Sequence, residues 1–255
     1  MMSASLDAAL AATAGLIATA FSLSALDRWL RRRQPHDGAW SAAMALFSLA
    51  SFALWWGTAA GWNGPVFRVF FLAGAVLNVS WLALGTVYLL AGRRIGVAVA
   101  RGLSLSSAFA TGVLLVTPFV GSIDPSDLPR GRDVFGALPR ILAAVGSGVA
   151  ALVIFAGAIW SAARLMRGRS ASLPTRDART VISPRRVALA NLMIAGGTLV
   201  LSLSGSLAGR LGDDRAFVVT LLAGVSLLFA GFLAAGGGQS RVRSSIYLSR
   251  VAEWR

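Results

Sequence analysis

The sequence from residue 138 to residue 169 reads LPRILAAVGSGVAALVIFAGAIWSAARLMRGR and decides the class of fold. Residues 141–163 carry no charged side chain, and arginines follow at positions 164, 167 and 169. A helix of about 20 mainly apolar residues is long enough to cross the hydrocarbon core of a bilayer. The stretch therefore predicts a transmembrane helix with a basic segment at one membrane surface.

Six further apolar stretches of similar length occur in the chain, which is 56% apolar and has a mean hydropathy of +0.71. Only 13% of its residues are charged, whereas about a quarter are charged in a typical soluble domain. We therefore predict an all-α integral membrane bundle of seven transmembrane helices. The predicted spans are Leu6–Leu26, Ala39–Ala60, Pro65–Leu90, Leu103–Phe119, Leu138–Ala163, Pro184–Leu207 and Phe217–Ala235.

The distribution of basic residues predicts the orientation. All 24 basic residues are arginines, and 18 of them lie in or beside the gaps after the first, third, fifth and seventh stretches. The short cytoplasmic segments of membrane proteins are enriched in Lys and Arg. The N-terminus is therefore expected outside and the C-terminus in the cytoplasm of a multi-pass cell-membrane protein. The complete absence of lysine suggests a GC-rich bacterial genome.

The chain is expected to have two parts. Residues 1–238 form the seven-helix transmembrane domain, and residues 239–255 form a basic amphipathic cytoplasmic tail. Apolar residues recur at roughly helical spacing in the tail, so it can lie in the membrane interface; a frayed end is the alternative. The longest external loop is predicted at Val120–Ala137, and a basic cytoplasmic loop at Arg164–Ser183.

The apolar stretches carry no ionisable machinery. No Asp, Glu, His or Lys falls near the centre of any predicted span, although such residues mark proton relays and ion sites in membrane proteins. There is no cysteine, and the single histidine, His36, lies in an arginine-rich segment. We expect no metal, no cofactor and no catalytic residue. The net charge of +14 is explained by arginines that follow the positive-inside pattern of membrane proteins, so no nucleic-acid partner is expected.

Two stripes of small and polar residues indicate where a ligand could bind. One contains Gly74, Asn78, Trp81, Gly85 and Tyr88, and the other runs from Asn191 to Gly209; in both, residues recur every three or four positions, which places them on one helix face. Such stripes are typical of close helix packing, with the amide as an interhelical hydrogen-bonding group. Alternatively, they line a pocket between helices. The candidate ligand-binding residues are Asn78, Trp81, Tyr88 and Asn191.

Arginines on the external side form a second candidate site. An anion could bind there to some combination of Arg68, Arg130, Arg132 and Arg210. Interface anchoring is the competing interpretation, because arginine side chains extend toward water from the ends of membrane helices.

Three functions are compatible with this sequence. The first is a non-catalytic protein that binds a lipid, an apolar ligand or a membrane partner, with its basic cytoplasmic face against anionic lipid headgroups. The second is a transporter or permease for a neutral or lipid-like solute. The third is an enzyme whose acid–base groups lie at a surface, such as Asp124, Asp127, Asp133 or the pair Asp213 and Asp214.

Overall fold

The computed structural model describes residues 2–166, 189, 192–194, 196–201 and 214–236. Helices account for nearly all of this part, and its only β-structure is an isolated antiparallel bridge between Phe119 and Phe135. The predicted cytoplasmic tail and most of the predicted sixth span, Pro184–Leu207, lie outside the described residues. Residues 192–194 and 196–201 of that span are helical.

The described helices follow one another with short connections. They are α1 (Met2–Arg32), α2 (Pro35–Ala60), α3 (Gly64–Phe70), a π-helix (Phe71–Leu77), α4 (Asn78–Val116), α5 (Gly131–Val134), α6 (Ala137–Met166) and α7 (Asp214–Gly236). α3, the π-helix and α4 are continuous along the chain.

Five of the described helical segments are long and apolar enough to cross a membrane. They are Ser5–Arg32, Pro35–Ala60, Gly64–Val116, Ala137–Gly157 and Arg215–Ala234. The prediction of an all-helical protein compatible with a membrane location is confirmed at this level. The count of seven spans and the orientation stay predictions.

The segment Gly64–Val116 is a hairpin and not one straight rod. Its 53 residues would extend about 80 Å as a straight helix, far more than the hydrocarbon core of about 30 Å. Gly92 breaks it, with φ 81° and ψ 177°, a conformation that glycine adopts readily because it lacks a Cβ. The two halves then pack together: Trp81 Nε1 donates to Ser107 Oγ at 3.2 Å, and a Cβ on Gly96 would collide with the Tyr88 ring.

α1 and α2 form a tighter hairpin than the sequence predicts. α2 begins at Pro35 and not at Ala39, so only residues 33 and 34 separate the two helices. Proline suits a first helical position because its missing N–H would have no intrahelical partner there. Four alanines of α1 are fully buried and allow close approach to neighbouring helices. They are Ala11, Ala14, Ala18 and Ala25.

A buried ion pair fixes the closed end of this hairpin. Arg28 Nη2 lies 2.7 Å from Asp37 Oδ1, and the Asp37 side chain is 2% exposed. The Arg28 guanidinium also stacks over Phe232 of α7, 4.0 Å from the ring centroid. The first and last described spans are thereby joined to α2 at the same end of the bundle.

The segment between α4 and α6 folds over the opposite end. Val134 and Phe135 are almost completely buried, and the Phe135 ring stacks on Phe67 with centroids 5.5 Å apart. The Trp62 amide donates to the carbonyl oxygen of Pro125 at 3.0 Å. The predicted loop Val120–Ala137 is therefore a packed cap on the helix ends.

Candidate functional site

A cavity of about 660 Å³ lies beneath this cap, between α2, the α3–π–α4 segment, α6 and α7. Its volume is within the range of small-molecule sites, which are clefts of about 300–1,000 Å³ with mainly apolar walls. Aromatic and aliphatic side chains dominate the lining, including Met44, Phe47, Phe67, Phe70, Phe71, Leu82, Phe217 and Leu221. The polar lining residues are Ser51, Asn78, Arg130, Arg132, Arg140, Ser147 and Thr198.

Small residues and an irregular helix create this space. One face of α6 lines the cavity with Ala143, Ala144, Ser147, Gly148 and Ala151, which recur at helical spacing. A Cβ added to Gly148 would meet no heavy atom within 4 Å. Because Ala144 and Gly148 are both exposed, the cavity is open to the surroundings beside α6 at this level.

The π-helix forms part of the opposite wall. Gly74 and Ala75 lie within it and line the cavity, and Asn78 follows directly after it. A π-helix has i→i+5 hydrogen bonds and occurs frequently at functional sites. Its wider turns rotate the residues that follow, relative to the positions that a regular α-helix would give them.

Asn78 is the unusual polar group of the cavity. The residue is 6% exposed, and its Oδ1 atom has no hydrogen-bond partner among the described residues. Leaving such a buried acceptor unpaired costs about 1–3 kcal/mol. A buried, unpaired amide oxygen on the wall of a large cavity is a ready contact for a ligand that carries a hydrogen-bond donor.

Three arginines line the cavity at the end covered by the cap. Arg130 and Arg132 flank the start of α5, and Arg140 lies in the first turn of α6. Arg132 is 3.4 Å from Asp133. Within the described part of the chain, the Arg130 and Arg140 guanidinium groups make no hydrogen bond or ion pair. We call these three residues the arginine mouth.

The predicted ligand-binding residues do not converge on one place. Asn78 lines the cavity, whereas Trp81 and Tyr88 are not among its described lining residues. The Trp81 indole is directed toward Ser107, and the Tyr88 ring packs against Gly96. Asn191 lies outside the described residues. Their role in ligand binding stays a prediction.

The arginines that the sequence places on the external side also divide into different roles. Arg68 donates from Nη1 to the Leu114 carbonyl oxygen and from Nη2 to that of Thr117 at 2.8 Å. Its guanidinium carbon lies 4.2 Å from the Phe119 ring centroid. Arg68 therefore joins the two halves of the hairpin, and its guanidinium donates to these two carbonyl oxygens. Arg210 lies outside the described residues.

Arg140 was not singled out from the sequence, although a signal was present. It directly precedes the small-residue face of α6, which contains no asparagine and therefore differs from the two predicted stripes. The buried Arg28–Asp37 pair was also missed, because both residues were assigned to a loop.

The described residues contain no cluster of three or more His, Cys, Asp or Glu side chains suited to a metal ion. Hydrogen bonds from the Ser126 hydroxyl and then from its amide lower the pKa of Asp124, which is fully exposed. A carboxylate held in its ionised form is a poor general acid.

Comparison of the chain with protein-family models, curated proteins and solved structures found no match.

Proposed function

We propose that this chain is a multi-pass cell-membrane protein that binds a lipid or another largely apolar molecule in the cavity, without catalysing a reaction on it. The observation that carries the proposal is the combination of the 660 Å³ apolar cavity with the unpaired Asn78 Oδ1 atom. We propose that the basic cytoplasmic face also contacts anionic lipid headgroups or a membrane-protein partner.

The proposed topology has seven crossings with the N-terminus outside. In this arrangement the two halves of the Gly64–Val116 hairpin cross separately, and the helical residues between 192 and 201 belong to the sixth crossing. The cap and the arginine mouth then face the exterior, while the Gly92 turn faces the cytoplasm. The excess of arginines beside Gly92 supports this orientation.

Single-cysteine labelling in intact cells tests the topology, because the native chain contains no cysteine. A membrane-impermeant maleimide should label Ser126→Cys in the cap before lysis. It should label Arg94→Cys beside the Gly92 turn only after lysis. Labelling of the Arg94→Cys variant in intact cells would refute the orientation.

Filling the cavity tests ligand binding. Gly148→Phe adds a ring at a lining position of α6 where a Cβ has open space around it. Gly112→Phe is the matched control: this glycine lies on α4, is exposed, also has open space around it and is not a described lining residue. Both variants exchange one helical glycine for the same residue.

The measurement is native mass spectrometry of the full-length protein after extraction in a mild detergent. We expect the wild type and Gly112→Phe to retain a bound small molecule and Gly148→Phe to lose it. A wild-type protein without a bound species, or equal retention by both variants, would contradict the proposal.

Transport of a neutral or lipid-like solute is the second candidate. One observation favours it: the helix that lines the cavity is interrupted twice, by the π-helix and at Gly92. Interrupted helices surround the substrate sites of many secondary transporters. Proteoliposome flux that is abolished by Gly148→Phe and unchanged by Gly112→Phe would favour transport over static binding.

A further inference from the structure

We infer that the ligand of the cavity is an anionic amphiphile, whose carboxylate or phosphate headgroup binds the arginine mouth while its apolar chain occupies the cavity. The inference rests on the proposed function and specifies the class of ligand.

The charge at the mouth is the first argument. Arg130, Arg132 and Arg140 lie within 11 consecutive residues and line the same cavity. Arg132 is paired with Asp133, but the Arg130 and Arg140 guanidinium groups have no partner among the described residues. Guanidinium groups bind carboxylate and phosphate through parallel, charge-assisted hydrogen bonds. The mouth therefore has an excess of positive charge and two guanidinium groups whose donors are available to an anion.

Contrast with Arg68 strengthens this point. Arg68 belongs to the same end of the bundle, but two backbone carbonyls and the Phe119 ring already surround its guanidinium. Its donors are used in holding the helices together. Arg130 and Arg140 have no such structural task within the described part of the chain, although they line a cavity.

The dimensions of the cavity are the second argument. Its lining on α6 extends from Arg140 to Ala151, a rise of about 16 Å at 1.5 Å per residue. One leaflet of the hydrocarbon core is about 15 Å deep. An acyl chain whose headgroup lies at the mouth would therefore be accommodated along its length by the apolar walls.

Asn78 provides an independent indication of a ligand below the mouth. Ser80 Oγ donates to the Gly146 carbonyl oxygen at 3.2 Å, which places this turn of α4 beside the middle of the α6 lining. The unpaired Oδ1 of Asn78 therefore lies near the middle of the α6 lining, at the level of Gly146, which is about 9 Å along the helix from Arg140. An acyl chain alone has no donor for this oxygen, so the ligand satisfies Asn78 only if it carries a hydroxyl, amide or similar donor below its anionic headgroup.

The test uses full-length protein, stripped of lipid in a neutral detergent and titrated with defined probes. Phosphatidylglycerol and phosphatidylcholine with identical acyl chains compare an anionic with a zwitterionic headgroup. A fatty acid represents the carboxylate class, and inorganic phosphate alone represents a free anion. Binding is measured by native mass spectrometry with increasing probe concentration.

The variant is Arg130→Gln combined with Arg140→Gln. Its control is Arg93→Gln combined with Arg94→Gln, which removes the same charge from exposed residues beside Gly92, at the other end of the hairpin. We expect the wild type and the control to bind phosphatidylglycerol at least about tenfold more tightly than phosphatidylcholine, the factor expected for about one net charge-assisted contact. The mouth variant should lose this preference and keep its weaker binding of phosphatidylcholine.

The salt dependence gives a second readout that requires no variant. Raising the ionic strength should weaken phosphatidylglycerol binding to the wild type and leave phosphatidylcholine binding unchanged, because salt screens accessible charges. This result supports the inference even if the arginine variants fail to fold.

Each contrary outcome refutes a different statement. Equal binding of the two phospholipids by the wild type would overturn the anionic headgroup and leave the proposed function standing. If inorganic phosphate binds as tightly as the amphiphiles, the acyl chain of the ligand contributes nothing to binding, and that part of the inference is wrong. If neither phospholipid nor the fatty acid binds, and Gly148→Phe changes nothing, both the inference and the proposed function are wrong.

Discussion

Replacing Asn78 by leucine tests whether this residue serves the ligand or the fold. Its Oδ1 atom is buried without a partner, an arrangement that destabilises the ligand-free protein by about 1–3 kcal/mol. Leucine removes the unpaired oxygen and adds apolar surface beside an apolar cavity. We therefore expect Asn78→Leu to raise the free energy of unfolding of the ligand-free protein by about 1–3 kcal/mol, and to weaken binding of a ligand that donates a hydrogen bond.

The packing interpretation of the same residue predicts the opposite sign. If the Asn78 amide joined two helices, its loss would lower the free energy of unfolding by about 0.6–2 kcal/mol. Asn63 is the matched control, because its side chain accepts a hydrogen bond from the Val66 amide at 3.0 Å and caps α3. Asn63→Ala should therefore destabilise the protein by about 1 kcal/mol.

The assay is denaturant-dependent unfolding of delipidated protein in detergent micelles, with both variants measured beside the wild type. Asn63→Ala establishes that the assay detects the loss of a single side-chain hydrogen bond. Destabilisation by Asn78→Leu of the same size as that control would refute the reasoning, because it would show that the Asn78 amide contributes to the packing of the ligand-free bundle.

Three further predictions concern the frame around the cavity, and the same unfolding assay checks each of them. Asp37→Ala should lower the free energy of unfolding by about 2–3 kcal/mol. This is somewhat less than for a fully buried ion pair, because the partner arginine is 22% exposed. Asp27→Ala removes an exposed ion pair and should change the free energy of unfolding by no more than about 0.5 kcal/mol. Gly96→Leu should lower it by about 1–3 kcal/mol through overpacking, whereas Gly102→Leu, with open space around it, should not lower it. Arg68→Gln should lower it by about 2–3 kcal/mol because hydrogen bonds from a charged donor are lost. If Asp37→Ala and Asp27→Ala change the free energy of unfolding equally, or if Gly96→Leu and Gly102→Leu do, the contact assigned to the first residue of that pair does not stabilise the fold. An unchanged free energy of unfolding for Arg68→Gln would show the same for the Arg68 hydrogen bonds.

Helix positions were predictable wherever local hydropathy determines them. The predicted span Leu138–Ala163 corresponds to α6, and Phe217–Ala235 corresponds to α7, with ends that differ by no more than three residues. The start of α2 was predicted four residues late because the sequence Pro-His-Asp-Gly is polar. A tertiary contact, the pairing of Asp37 with Arg28, allows that polar turn to be helical and buried. Hydropathy carries no information about such a partner.

The cavity was less predictable than the helices, for a geometric reason. A spacing of three and four residues placed Asn78 and Trp81 on one face, on the assumption of a regular α-helix. Both residues lie in α4, after the π-helix has ended. The residues of this turn that line the cavity are Asn78, Val79 and Leu82, whereas the Trp81 indole donates to Ser107. The small residues of α6 were visible in the sequence, but their significance depends on which helix faces them. That information is tertiary.

The arginines at the capped end show why residue type and membrane side do not determine chemistry. When arginines are counted on each side of the membrane, Arg68, Arg130 and Arg140 all count equally for the external side. Each also lies near a helix end, where an arginine side chain is expected to extend toward water. α4 ends at Val116, and beside that end Arg68 takes the carbonyl groups of Leu114 and Thr117. Helix ends leave such carbonyls without intrahelical partners, so this guanidinium completes the fold. Arg130 and Arg140 have no helix end to satisfy among the described residues, and they border an apolar cavity. At this end of the bundle, the guanidinium groups that remain available to an anion are therefore those of Arg130 and Arg140, which line the cavity.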